Sequence, residues 1–298
     1  MDIAEKESFE AIAAAGLPPR RRRRLRPLVA VALTIGTAIV VLAVIGPTFL
    51  VSPNTQDLTD TLQPPVGMRA GSATHLLGTD LLGRDLLSRA VSGLQTSLIV
   101  AVAALAVGAV VGVAIGMTAG YVGGIFDELV MRIVDVQLAV PGIVFVMLII
   151  AIVQPTLLTM IGVLALIAWV VFARVARAQT LSIREQDMVM AARAMGARHA
   201  RILVRHILPN IAGPLLVIAT VELANLVIVQ AALSYLGLGV PPPTPTLGGM
   251  IFDGQTELAA HIWWPVVVPA CFIVLLIAAA NVIGDWLRDI LDPRARAH

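Results

Sequence analysis

An all-α, polytopic membrane protein with six transmembrane helices is the fold this sequence predicts. Three observations carry that expectation. Of its 298 residues, 58% are hydrophobic and 13% charged, against about 45–50% and about 25% in soluble domains. Six predominantly apolar stretches, 28–50, 94–120, 138–154, 157–173, 211–233 and 265–285, approach the ~20 residues needed to cross ~30 Å of hydrocarbon. Aromatic residues make up only 4%. A bulk of Ala, Val, Ile, Leu and Gly suits packed helices better than an aromatic-girdled barrel.

The elements follow in chain order. Residues 1–27, with Glu5, Lys6, Glu7 and Glu10, read as a cytoplasmic tail ending in Arg20–Arg24 and Arg26. The apolar stretch 28–50 is longer than the roughly 7–15 residues of a signal h-region, so it is expected to stay as an uncleaved first span. Segment 51–93 begins as a loop with Pro53, Asn54, Pro64, Pro65 and Gly67 and is expected outside the membrane. The remaining spans form a core from 94 to 285. In the second span Gly108, Gly112, Gly116 and Gly120 recur every four residues, a spacing that lets helices approach closely. Asp127, Glu128, Arg132 and Asp135 precede the third span and suggest a solvated cluster with Glu128 and Arg132 paired at i, i+4. One helix over 138–173 would be about 54 Å long, too long for a single crossing. Gln154-Pro155-Thr156 is therefore read as a tight turn between two antiparallel spans. Pro241, Pro242, Pro243 and Pro245 forbid helix and keep the chain extended. Trp263 and Trp264 then suit the membrane interface before the sixth span. Residues 286–298 form a second cytoplasmic tail.

Charge placement sets the expected orientation. Eighteen of the 21 Lys and Arg residues lie in 1–27, 121–137, 174–210 and 286–298, and three lie in 51–93. The positive-inside rule puts both termini in the cytoplasm, which requires an even number of spans. Cys271 is the single cysteine, which excludes an intrachain disulfide framework. The basic N-terminal run more simply sets topology and meets anionic lipid than binds nucleic acid, and no nucleic-acid partner is expected. The sequence holds no G-x-x-x-x-G-K-[ST] phosphate loop.

The arginine-rich segment 174–209 is the most informative. Asp187 suits a helix N-cap, Met188 to Met195 favour helix, and Gly196 can take the left-handed conformation that ends one. A second helix is expected over 197–207, and Pro209 suits the first turn of the fifth span. Met188, Ala191, Ala192 and Met195 share helical spacing and would offer a low-relief surface to a partner groove. Periodicity alone fits an amphipathic loop on anionic lipid more simply. In the fifth span Glu222 is costly at the bilayer centre, about 2.5–3.5 kcal/mol on insertion scales. With Asn225 and Gln230 it marks a partly polar face. That face fits either a translocation path or interhelical hydrogen bonds.

The segment Gln186 to Pro209 resembles the E-A-A loop of bacterial ABC-importer permeases. Ala191 and Ala192 match its alanines, Gly196 its glycine after three residues, and Leu208 and Pro209 its end. Met190 stands where the family often has Glu, and His206 where it often has Ile. Residues His75 to Arg89 resemble the H-x-L-G-T-D-x-x-G-R-D-x-x-S-R signature of the peptide and nickel subclass, through Gly78, Asp80, Gly83, Arg84 and Asp85. Ala232 to Gly239 and Asn281 to Arg294 resemble two further stretches of that subclass, in the same order. The resemblance implies a type I ABC-importer permease fold, in the binding-protein-dependent class that carries dipeptides, oligopeptides or nickel chelates. It implies a coupling loop at 187–209 using Asp187, Met190, Ala191, Ala192, Gly196, Leu208 and Pro209, with Met190 lacking the usual anchoring carboxylate. It also implies three kinds of partner: a second homologous permease, two ATPase subunits or domains, and an extracytoplasmic substrate-binding protein. ATP and Mg would sit on the ATPases, with no cofactor, metal or catalytic residue on this chain. His75, Asp80, Arg84 and Asp85 are then an outer structural element. A stand-alone secondary transporter is the rival class. It would respond to an ion gradient rather than ATP, and the inverted repeats common in that class are not evident.

Overall fold

The computed structural model describes residues 27–291 except 69, 70 and 72; the arginine run at 20–26 and the tail from 292 lie outside the described residues. The helices are α1 (Pro27–Phe49), α2 (Leu86–Val122), α3 (Gly124–Leu138), α4 (Gly142–Ile152), α5 (Leu157–Ile183), α6 (Asp187–Ala194), α7 (His199–Ile202), α8 (Leu208–Tyr235), α9 (Leu247–Asp253), α10 (Gln255–Ala259) and α11 (Trp264–Leu291). A π turn over Leu203–Ile207 joins α7 to α8. Among the described residues, four helices are long and apolar enough to cross a membrane: Leu86–Val122, Leu157–Ile183, the continuous His199–Tyr235 and Trp264–Arg288. Helix α1 adds a shorter apolar stretch over Leu33–Phe49.

The expected third span, 138–154, is not one helix. It is the 11-residue α4, set at 88° to α3 across a short break. Pro141 explains the break, because it has no N–H to give and steers Val140 away from helical dihedrals. The division at 153–156 follows the expectation. Thr156 starts α5 with a capping box, its hydroxyl accepting from Thr159 N–H while the Thr159 hydroxyl accepts from Thr156 N–H.

Two helices run further than their apolar cores. Helix α2 begins at Leu86 because Asp85 caps it, its carboxylate accepting the Ser88 N–H at 2.8 Å. Helix α5 continues through Arg174 and Arg177 to Ile183. The stretch 234–264 is helical in part. It stays non-helical around its prolines but winds into α9 and α10 afterwards, with Thr246 capping α9.

The spine of the molecule is the α2–α5 pair, the most extensive helix contact in the chain. It uses the glycine stripe. A Cβ on Gly108 would lie 2.6 Å from Ala168 Cβ, and on Gly112 and Gly116 it would land on the carbonyl oxygens of Trp169 and Ala173. At Gly120 it would meet the Arg177 carbonyl oxygen at 2.8 Å. The matches rise together along both helices, so α2 and α5 run parallel. Buried Ala101, Ala104, Leu164, Ala168 and Phe172 fill the same seam. Lipid gives helices no hydrophobic drive to associate, so close packing of small residues must supply it. Helices α8 and α11 pack together beside this pair, and α1 lies against α2 and α11.

Candidate functional site

Functional features gather at two poles. At 37 residues, α2 is roughly 55 Å long at 1.5 Å per residue, so its ends lie at opposite poles.

At the pole where α2 ends sits the segment 184–209. Helix α6 spans Asp187–Ala194 and stops where Gly196 takes φ +75°. The glycine corner thus forms as the sequence predicts, since a left-handed residue without a Cβ is unstrained. Asp187 is not the cap. Gln186 holds that position with extended dihedrals, and Asp187 stands in the first turn, where its charge still favours the helix dipole. The alanine pair splits. Ala192 and Val189 are buried within the chain, whereas Met188, Met190, Ala191 and Met195 are exposed. The outward patch therefore carries three methionines, with Ala191 and Ala194 beside them.

Pro209 lies at the start of α8, as expected, and explains the π turn before it. Its missing N–H removes one i→i−4 bond and its ring crowds the Arg205 carbonyl. The chain widens by one residue, and Leu208 N–H donates to Leu203 C=O instead. The expected helix over 197–207 is consequently a short α-turn followed by a π turn.

The loop is tied to the bundle by polar contacts. Arg193 lies over the Tyr121 ring, 4.7 Å from its centroid, and its Nε donates to the Tyr121 hydroxyl at 3.2 Å. That hydroxyl is also hydrogen-bonded to His199 Nδ1 at 3.0 Å. Arg184 donates to the Gly120 carbonyl at 2.8 Å. Arg177 grips Asp127 with two bonds of 2.5 Å, and Arg174 meets Asp135 at 2.7 Å. These pairs join α3 to α5. They replace the expected pairing of Glu128 with Arg132, which is absent among the described residues. Arg198, Arg201 and Arg205 are exposed.

At the opposite pole the described residues of 53–85 form a compact loop. Gly78 and Gly83 have φ +82° and +66°, and a Cβ on Gly83 would strike the Asp57 carbonyl. Asp80 Oδ1 accepts the N–H groups of Leu82 and Arg84, each at 2.9 Å, and its Oδ2 accepts Arg84 Nε at 2.6 Å. His75 Nδ1 lies 3.0 Å from Asp85 Oδ1. Trp264, at the start of α11, donates to the Thr79 carbonyl at 3.2 Å. Every residue singled out in this motif thus has a structural partner or a required backbone angle.

A cavity of about 560 Å³ opens beside this loop, lined by Asp80, Arg84 and Arg89 on one side and Asp253 and Glu257 on the other. Both guanidiniums point at one oxygen of Asp253, each from 3.6 Å. Burial pushes the Asp253 carboxyl up, and the two arginines oppose that rise. Sequence reasoning missed Asp253 and Glu257. Only their i, i+4 spacing was available to mark them. Tyr121 was missed too.

In α8, Glu222 and Gln230 are buried, and Asn225 is exposed. Asn225 donates to Glu222 Oε1 at 3.3 Å, and neither end of the Gln230 amide has a partner among the described residues.

Long apolar helices packed side by side, with a polar loop locked to one end, define a polytopic membrane protein. Residues 112–297 match the family described as "Binding-protein-dependent transport system inner membrane component", and the chain belongs to that family. It is a multi-pass inner-membrane permease subunit of an ABC importer, not itself an enzyme, and such subunits work with ATPase and substrate-binding partners. It is 37% identical to the oligopeptide transport system permease protein OppC of Bacillus subtilis (strain 168), over 92% of this chain and 88% of that one. To the dipeptide transport system permease protein DppC of the same organism it is 38% identical, over 93% and 85%. To the di/tripeptide transport system permease protein DppC of Pseudomonas aeruginosa (strain UCBPP-PA14) it is 36% identical, over 79% and 77%. Among solved structures it resembles an inward-facing MetNI methionine ABC transporter at TM-score 0.57 and 22% identity, covering 68% of this chain and 96% of that one.

Proposed function

We propose that this chain moves dipeptides or oligopeptides across the cytoplasmic membrane by alternating access, paired with a second homologous permease. Separate ATPase subunits hold ATP and Mg and push on the segment 187–209; a binding protein delivers substrate at the other pole. The peptide cargo is inferred from relatives of 36–38% identity whose names are peptide permeases. The coupling role rests on one observation: an exposed face of Met188, Met190, Ala191 and Met195 on a loop braced by Tyr121. A braced loop passes force to the bundle, whereas a slack one would absorb it. Without a carboxylate at Met190, apolar contact and shape carry the docking. The pole where α2 ends faces the cytoplasm in this reading, because Arg174 to Arg205 gather there. Glu222, Asn225 and Gln230 are assigned to the translocation path.

Ala191→Arg and Met195→Asp alter only exposed positions, so the variants are expected to insert normally. In proteoliposomes with the ATPases and binding protein, ATP-driven peptide uptake should fall at least about tenfold. Uptake equal to wild type in both variants would remove the coupling assignment, and the same result for Glu222→Gln would remove the path assignment. Ala192→Arg is a poorer probe, since it forces a charge into a buried site.

A further inference from the structure

The cavity at the α2-start pole has charges that its own partners leave underused. At about 560 Å³ it falls in the roughly 300–1,000 Å³ range of small-ligand sites. The Arg89 side chain is 6% exposed; its one hydrogen bond among the described residues is a 3.4 Å contact to the Pro53 carbonyl, and its Nε faces Asp80 Oδ2 from 3.4 Å, which leaves its terminal nitrogens without a close acceptor in the cavity. Asp80 is already engaged by Arg84 Nε and two backbone N–H groups. Asp253 stands 3.6 Å from both guanidiniums, beyond hydrogen-bond reach. Spare donors therefore line one wall.

The facing wall has spare acceptors. Glu257 is buried, and its carboxylate accepts only the hydroxyl of neighbouring Thr256, at 2.9 Å. No cation pairs with it among the described residues. Between the charged walls Met250 and Pro265 give apolar surface. A buried carboxylate with no cation beside it, as Glu257 is among the described residues, is costly unless something completes it. A ligand with a carboxylate at one end and an ammonium at the other would do so. Its carboxylate would take the bidentate guanidinium geometry that Asp253 only approaches.

We infer that this cavity is a way-station for short zwitterionic peptides, with the peptide carboxylate on Arg84 and Arg89 and its ammonium on Glu257. The inference rests on the peptide-importer reading and adds the site on this chain where the cargo pauses.

The test uses the assembled permease–ATPase complex in lipid nanodiscs without binding protein. Trialanine, N-acetyl-trialanine and trialanine amide are titrated by ligand-observed NMR. Wild type should bind trialanine at least about tenfold more tightly than either blocked peptide. Glu257→Gln should erase the preference for a free amine and leave N-acetyl-trialanine affinity unchanged. Asp253→Asn serves as the second variant should Glu257→Gln fail to assemble: with the carboxylate that faces Arg84 and Arg89 neutralised, trialanine and N-acetyl-trialanine should bind more tightly and trialanine amide should not. Equal binding of all three peptides, no binding, or a variant that weakens all three alike overturns the site. ATP-driven trialanine uptake by wild type, measured with binding protein present, tests the importer reading separately. Uptake without discrimination in nanodiscs sinks the way-station alone, and absence of uptake sinks the peptide reading.

Discussion

Asp85 shows how one side chain can do two jobs. One of its oxygens accepts the N–H and hydroxyl of Ser88, and the other meets His75 Nδ1. The first job starts a long helix, and the second pins the preceding loop to it. Asp85→Ala should therefore cost about 1 kcal/mol from the lost cap and also loosen residues 57–84. Thermal unfolding of the purified chain in detergent should show a lower midpoint. Faster amide exchange confined to that loop would separate the second effect from the first. At this scale the sequence was legible wherever a residue's backbone demand is intrinsic. Gly196 and Pro209 behave as their chemistry requires. It was less legible where two neighbours of equal chemistry differ only in direction. Ala191 and Ala192 are alike on paper, and only the bundle decides that one faces out and the other in.

Helices repeat the lesson in their periods. Glycine at every fourth position in α2 marks a packing stripe, and the stripe meets α5 over its whole length. Gly116→Leu would place a branched side chain where the Ala173 backbone already lies. Overpacking of this kind costs about 1–3 kcal/mol even in yielding cores, and a backbone neighbour yields least. The variant should lose most of its monodisperse peak in size-exclusion chromatography, while Gly162→Leu, at a glycine with open space, should keep it. The α3–α4 break was the missed element. Its apolar residues run on through Pro141, so hydropathy reads continuity where the proline imposes a corner. The ion pairs of α3 were misjudged for a related reason. Helical spacing offered Arg132 to Glu128, but Arg177 and Arg174 reach across from α5.

At the level of the whole molecule, parallel α2 and α5 require that the chain return between them, and the bent α3–α4 pair makes that return. This agrees with the alternation of spans that the hydropathy predicts. The cavity between Arg84, Arg89, Asp253 and Glu257 could not be read in advance, because its walls lie more than 150 residues apart in sequence. The π turn at 203–207 carries a consequence for how this chain tolerates change in length. A π turn is what a one-residue insertion leaves inside an α-helix. Removing Val204, which is exposed, leaves Pro209 in place, so the turn should re-form from the residues that remain, with each upstream residue drawn one place toward α8 and α8 kept in its lipid register. Everything N-terminal to it would then swing by roughly 100°, one residue's share of a helical turn. A chain lacking Val204 should reach the membrane at normal levels yet fail to support growth on peptides as sole nitrogen source. Restoring any small residue at that point, whatever its identity, should bring growth back. Growth unaffected by the deletion would mean that the loop's heading is of no account.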